Sequence, residues 1–179
     1  MSPRPTGTVR RTPRGADLTI TRRFRGSIDD VWQSVTASES TARWIGAWQG
    51  EPGPGKTVRF CMGFEEGTPW CDLKIEVCEA PHRLSVSMKD DYGDWRLELS
   101  LESQGEITEL TFVQRLTDPS LAGDVGPGWE YYLDRLVAAR ESQPMPAFSS
   151  YHPAQKEHYL DQARAEGLVR RRPGAGRRG

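Results

Sequence analysis

The side chains best able to do chemistry in this chain are spread out, and few stand at spacings that chemistry requires. The stretch GPGWEYY (residues 126–132) sets a carboxylate and two phenols beside a tryptophan. Its glycines, like those of GPGK (residues 53–56), lack the G-x-x-x-x-G-K-[ST] spacing that cradles phosphate, and no G-x-S-x-G nucleophile elbow occurs. Asp72, Glu76 and Glu98 alternate with apolar residues, which points them to solvent and not toward a paired acid and base. His82 falls in a turn, and His152 and His158 fall near the C-terminus. None has a cysteine or a second histidine at metal-ligand spacing. Cys61, Cys71 and Cys78 form an odd set without C-x-x-C, as expected of reduced thiols. No catalytic constellation, metal site or cofactor is expected.

Those residues must be positioned by elements that the patterning reveals. DLTITRRF alternates Leu18, Ile20, Arg22 and Phe24 against polar neighbours, as a strand does. GSIDDVWQSV follows, with Ser27 as N-cap, Asp30 at the capping-box position, and Ile28, Val31, Trp32 and Val35 on one helical face. SESTARWIGAW predicts a second short helix capped by Ser38 and ending near Gly46. From residue 50 the period falls to two, and five antiparallel strands are expected, ending in LTFVQRL. Matching the apolar faces of the first hairpin predicts the pairs Met62–Cys71, Phe60–Leu73 and Val58–Ile75. Cys71, Leu73, Ile75 and Val77 then share one face, with Cys61 and Cys78 on the opposite face.

A long helix follows. Pro127 suits a first turn, flanking glycines suit a tight entry, and Glu130 would then sit in that turn. A helical wheel turns Trp129, Tyr132, Leu133, Leu136, Val137 and Ala139 toward the sheet, with Arg140 inside that arc. Glu130, Asp134, Arg135 and Glu141 fall outside it. Tyr131 and Ala138 also face away, and Pro144 limits the helix. PAQKEHYLDQARAEG predicts a further short helix, and the segment carrying Phe148, Tyr151, Tyr159 and Leu160 is expected to pack on Tyr131 and Ala138.

Trp44, Trp48, Phe60, Trp95, Phe112, Trp129 and Tyr132, joined by Met62 and Met88, should converge between this helix and the sheet. With Leu73, Val86, Leu97, Gln114, Leu133 and Leu136 they form the expected lining of an apolar ligand pocket, or else a filled core. Arg22, Gln114, Tyr132 and Arg140 are the inward polar groups, each needing a partner if buried.

The chain has 179 residues and a net charge of −1. Residues 1–15 and 168–179 are rich in Arg, Gly and Pro and poor in apolar side chains, which predicts disordered basic tails. The expected division is therefore a tail (1–15), a domain (16–143), a packed extension (144–167) and a second tail (168–179). No apolar run approaches the ~20 residues of a membrane span. A cytoplasmic protein without specific nucleic-acid binding is expected, and its oligomeric state is left open.

FRGSIDDVWQSVTASESTARW, GKTVRF, EAPHRLSVSM, ELTFVQRL and GPGWEYYLDRL, in that order, resemble bacterial single-domain members of the family named for the activator of the heat-shock-protein-ninety ATPase. That family lies within the START-like (SRPBCC) superfamily, related to the birch-pollen allergen. The resemblance implies an α+β helix-grip fold: a curved antiparallel sheet around a long C-terminal helix, in the order β-α-α-β-β-β-β-β-α. It also implies a hydrophobic cavity and hence a small hydrophobic or aromatic ligand. The alternatives it carries are a polyketide cyclase- or aromatase-like enzyme, and a chaperone accessory or regulatory protein with a protein partner.

Overall fold

A computed structural model describes residues 3–91 and 93–170. Strands β1 (Thr8–Thr12) and β2 (Gly15–Arg25) precede helices α1 (Ile28–Thr36) and α2 (Ser38–Thr41). Strands β3 (Trp48–Gln49), β4 (Thr57–Cys61), β5 (Trp70–Glu79), β6 (Arg83–Asp90), β7 (Gly93–Gln104) and β8 (Ile107–Leu116) follow, then helices α3 (Ala122–Glu141) and α4 (Lys156–Ala165). The strands form one antiparallel sheet in the order β1-β2-β8-β7-β6-β5-β4-β3. This curved sheet with its long C-terminal helix is the helix-grip arrangement.

Local chemistry accounts for most of the elements. The Ser27 side chain accepts from the Asp30 backbone N–H and starts α1, whose Val31, Trp32 and Val35 are buried. The predicted second helix is only one turn long, and Ser38 does not cap it. Its hydroxyl instead donates to the Trp48 carbonyl (2.6 Å) and accepts from the Trp48 N–H (2.9 Å), which fixes β3 to the helix pair.

Several expectations need correction. The N-terminal segment is not disordered: Val9 is 1% exposed, because β1 pairs with β2 on one side and meets α4 on another. The β4–β5 register is two residues from the expected one, pairing Phe60 with Cys71 and Val58 with Leu73. An even offset preserves the faces, so Cys61 and Cys71 still point to opposite sides. A bulge between Ile75 and Val77 then reverses the parity of the rest of β5. Val77 consequently pairs with Ser85, and Cys78, paired with Leu84, moves to the face of Cys71.

Helix α3 begins at Ala122, a turn earlier than expected, so Pro127 lies inside it. Its glycines serve packing more than entry. A Cβ on Gly126 would lie 2.5 Å from the Tyr159 ring, and one on Gly123 would lie 2.8 Å from Leu160. Helix α4 therefore approaches α3 backbone-close, and Tyr159 is fully buried. Helix α3 is covered on both sides, by β2 and by α4. That is why its "outer" residue Glu130 is buried, between Arg22 of β2 and Tyr159 of α4; Arg135, held by the Trp44 carbonyl and lying over Phe64, and Ala138 are buried as well. Phe148 departs from expectation in the other direction: it is 47% exposed, with one edge against Tyr131. Tyr151 meets Tyr131 edge-on too. Of the second expected tail, Leu168 and Val169 pack on the core, and residues 171–179 lie outside the described residues.

Candidate functional site

The fifteen residues expected to line a pocket divide into two groups. Trp44, Phe112, Trp129, Tyr132, Leu133 and Leu136 belong to the continuous buried core, and Leu97 packs on its edge. Gln114 is buried among them. The second group is Trp48, Phe60, Met62, Leu73, Val86, Met88 and Trp95. It lies toward the far side of the sheet, on β3 to β7 and the β4–β5 hairpin. Phe60 is buried there and the other six are only half-buried, outside the core cluster.

Topology explains the division. Helix α3 lies against β2, at one side of the sheet. Across the sheet the inward row runs Leu18–Gln114–Leu97–Val86–Ile75, strand by strand. Along that row Leu18 and Gln114 are buried, Leu97 and Val86 are half-buried, and Ile75 is buried again. A neighbouring row pairs Met88 with Trp95. The Cys71 thiol reaches the Met88 sulfur at 3.7 Å, and burial pushes that thiol up from its ordinary pKa. The Trp95 indole N–H is buried and has no partner among the described residues. An apolar floor of Leu73, Val86, Met88 and Trp95 thus stands partly uncovered inside the curved sheet.

The inward polar groups Arg22, Gln114, Tyr132 and Arg140 each have partners. The Trp129 indole N–H donates to Gln114 Oε1 at 2.6 Å, and the Trp129 ring packs on Phe112 with centroids 4.4 Å apart. Arg22 pairs with Glu130 (2.6 Å) and Asp134 (2.8 Å). Arg140 pairs with Asp30 at 2.6 Å and lies over the Phe24 ring. The Tyr132 hydroxyl donates to the Glu65 carboxylate in the β4–β5 hairpin. Burial, and then that carboxylate, push the Tyr132 phenol well above its ordinary pKa, so it remains a donor.

The polar cluster around Glu130 could not be read from a helical wheel. Its carboxylate accepts from Arg22, from the Tyr159 hydroxyl at 2.6 Å and from the Gly7 N–H at 2.8 Å. Burial alone would raise its pKa, but the Arg22 and Tyr159 hydrogen bonds and the Arg22 charge hold it below the usual carboxylate range. The Tyr151 hydroxyl adds a bond to Asp134 at 2.7 Å. Glu130 is 1% exposed, so this cluster ties the N-terminal segment, β2, α3 and α4 together and offers no surface to a substrate. The one signal in the sequence was Arg22, an inward cation requiring an acid.

The histidines take part in surface contacts: His152 meets Asp124 at 3.0 Å, and His158 meets the Gly7 carbonyl at 2.9 Å. Asp72 and Glu76 are exposed, and Glu98 is tied to Arg83 at 2.8 Å. On the outer face of the sheet, Glu76, Ser85, Ser87, Arg96, Glu98 and Arg115 border a hollow of about 290 Å³ that Val86 and Leu97 also line. A smaller one of about 40 Å³ lies between Ser34, Arg43, Trp44 and Arg140. Among the described residues, no group of three or more His, Cys, Asp or Glu is placed to hold a metal ion. No described helix is long and apolar enough to cross a membrane.

Comparison with known proteins agrees with this fold. The family described as activator of Hsp90 ATPase homolog 1-like protein matches residues 25–141. The crystal structure of CalU16 from Micromonospora echinospora superposes with a TM-score of 0.71 at 25% identity, covering 88% of this chain and 95% of that one. The protein encoded by gene BPP1335 of Bordetella parapertussis gives 0.69 at 21% identity, covering 89% and 94%. DynU16, described as a putative protein in the dynemicin biosynthetic locus, gives 0.63 at 19% identity, over 74% of this chain and 50% of that one. No curated protein matches.

Proposed function

The chain belongs to the activator of Hsp90 ATPase homolog 1-like family, and on that premise we propose that it binds a small hydrophobic or aromatic ligand between helix α3 and the far half of the sheet. One observation carries this reading. Leu73, Val86, Met88 and Trp95 stand on the inward face of the sheet yet are only half-buried, while the same face beside α3 is packed. Apolar surface on the inside of a curved sheet is sheltered from other macromolecules and available to a small molecule. A mobile thioether and an indole make such a floor tolerant of ligand shape. Trp129 and Tyr132 form the rear wall.

A second reading is an enzyme acting on a molecule held at the same place. The DynU16 likeness, to a protein of a biosynthetic locus, favours it. The inward polar groups bear the other way, since Gln114, Arg22 and Tyr132 are each engaged by protein partners. The three free thiols suit a reducing compartment, so we place the protein in the cytoplasm. The test is a panel of hydrophobic ligands, including 1-anilinonaphthalene-8-sulfonate, followed by tryptophan fluorescence. Saturable quenching or a spectral shift is expected, weakened at least about tenfold in Kd by Trp95→Ala. A flat response to the whole panel would refute the reading.

A further inference from the structure

We propose that the hollow on the outer face of the sheet binds a small organic oxyanion, a carboxylate or a phosphate monoester, with Arg96 as its anchor. The hollow lies on the face opposite α3, so the proposal is independent of the ligand-site reading above. Two departures from regular pairing frame it. On one side is the bulge in β5: Lys74 pairs with Ser87, Ile75 with Val86 and Val77 with Ser85, which leaves Glu76 as the extra residue. On the other side the β7–β8 ladder ends at Leu97 and Gln114. Beyond that pair β7 continues along β6 as far as Gly93, and β8 continues along β2, where Arg115 pairs with Asp17. One more pair in the ladder would set Arg96 opposite Arg115, and like charges directly opposite are destabilising. The ladder stops short of it, and both guanidinium groups stand on the rim of the same hollow.

The charged groups around this rim are unequally committed. Glu76 accepts from the Ser87 hydroxyl at 2.7 Å and pairs with Lys74 at 3.1 Å. Those two hydrogen bonds hold its carboxyl below the usual range, and the charge of Arg96 adds to them through space. Glu98 pairs with Arg83 at 2.8 Å, and Asp17 with Arg115 at 3.1 Å. Each acid therefore has a cation of its own. Setting Lys74, Arg83, Arg96 and Arg115 against Asp17, Glu76 and Glu98 leaves one positive charge over. It belongs to Arg96, which makes no ion pair among the described residues. The Ser85 hydroxyl, on the same rim, likewise makes no hydrogen bond among them.

These free groups define the ligand. A guanidinium fork bonds two oxygens of a carboxylate or phosphate at once, and a serine hydroxyl donates to a further oxygen. Arg115, held by Asp17 and 3.9 Å from Glu98, supplies charge and not a second fork. A volume of about 290 Å³ is many times the ~30 Å³ share of one water, so an anion with an organic body fits better than a bare ion. The rim is open to solvent, which sets the expected Kd at about millimolar.

The test is a heteronuclear NMR titration of the full chain at low ionic strength, following arginine Nε–H signals and backbone amides. The probes are benzoate, phenyl phosphate and, as the cationic control, benzylammonium. Saturable shifts at the Arg96 Nε–H and at the amides of residues 85–87 are expected with at least one anion, and none with benzylammonium. A response to benzoate alone marks a carboxylate site, and one to phenyl phosphate alone a phosphate site. Arg96→Gln should weaken binding at least about tenfold, and Arg96→Lys, which keeps the charge and loses the fork, about threefold. Unchanged amide positions in β2 and β8 verify that both variants are folded. Binding that survives Arg96→Gln, shifts shared equally by Arg14 and Arg59, an equal response to benzylammonium, or no saturable response to either anion would each overturn the proposal.

Discussion

The two halves of the sheet carry the same alternation of apolar and polar residues and meet different fates. Beside α3, Leu18, Ile20, Leu110 and Phe112 are sealed, and the helix above them is sealed again by α4. On β5 to β7, Leu73, Val86, Met88 and Trp95 present equally apolar side chains to the same interior and remain half-open. The difference lies in coverage. One helix is only about 10 Å across with its side chains, and each strand adds about 4.8 Å to a sheet's width. A single helix cannot cover eight strands. Helix α1 meets β7, α2 meets β3, and α4 lies on the already covered side.

That contrast makes leucines of identical chemistry unequal. Leu136→Ala, in the core, should cost about 4 kcal/mol, and Leu73→Ala about 1 kcal/mol, because truncation of an uncovered side chain leaves no closed cavity. Urea unfolding of the two variants reads this directly. Equal losses would mean that the far half is as tightly packed as the near one.

The buried polar cluster gives the near half a pH dependence. Glu130→Gln should cost about 3 kcal/mol, since it leaves Arg22 buried with only Asp134 opposite. The folded-state pKa of Glu130 lies below its unfolded value. Its stabilisation is therefore complete above the unfolded carboxylate pKa, about 4.3, and is lost as pH falls through the folded one. Asp124, held low first by its hydrogen bond from Lys156, contributes with the same sign. Urea midpoints measured from pH 6 to pH 3 should fall more steeply in wild type than in Glu130→Gln. Parallel curves would remove the cluster from the account.

The sheet was legible because its strands are cleanly two-faced, and β2 and β4 to β8 are readable from period two alone. Strand β1 was not, because TVRRT offers one valine among arginines and its burial depends on α4, some 150 residues later. Gly126 of α3 suggested a helix entry, while it answers a tyrosine at position 159 that no local pattern could announce. Glu130 sat on the polar side of the wheel for the same reason: both sides of the helix are interior. The inward residues of the candidate site were readable by parity. Which of them α3 would leave uncovered depends on the helix's place across the sheet, and a linear pattern does not encode that.

The most direct test of the central claim is a methyl NMR titration of the full chain with 1-anilinonaphthalene-8-sulfonate. The account predicts saturable shifts of the Leu73, Val86 and Met88 methyls and of the Trp95 indole N–H, with the Leu18 and Leu110 methyls unmoved. Shifts confined to the outer face, or none at any of these groups at millimolar dye, would contradict it.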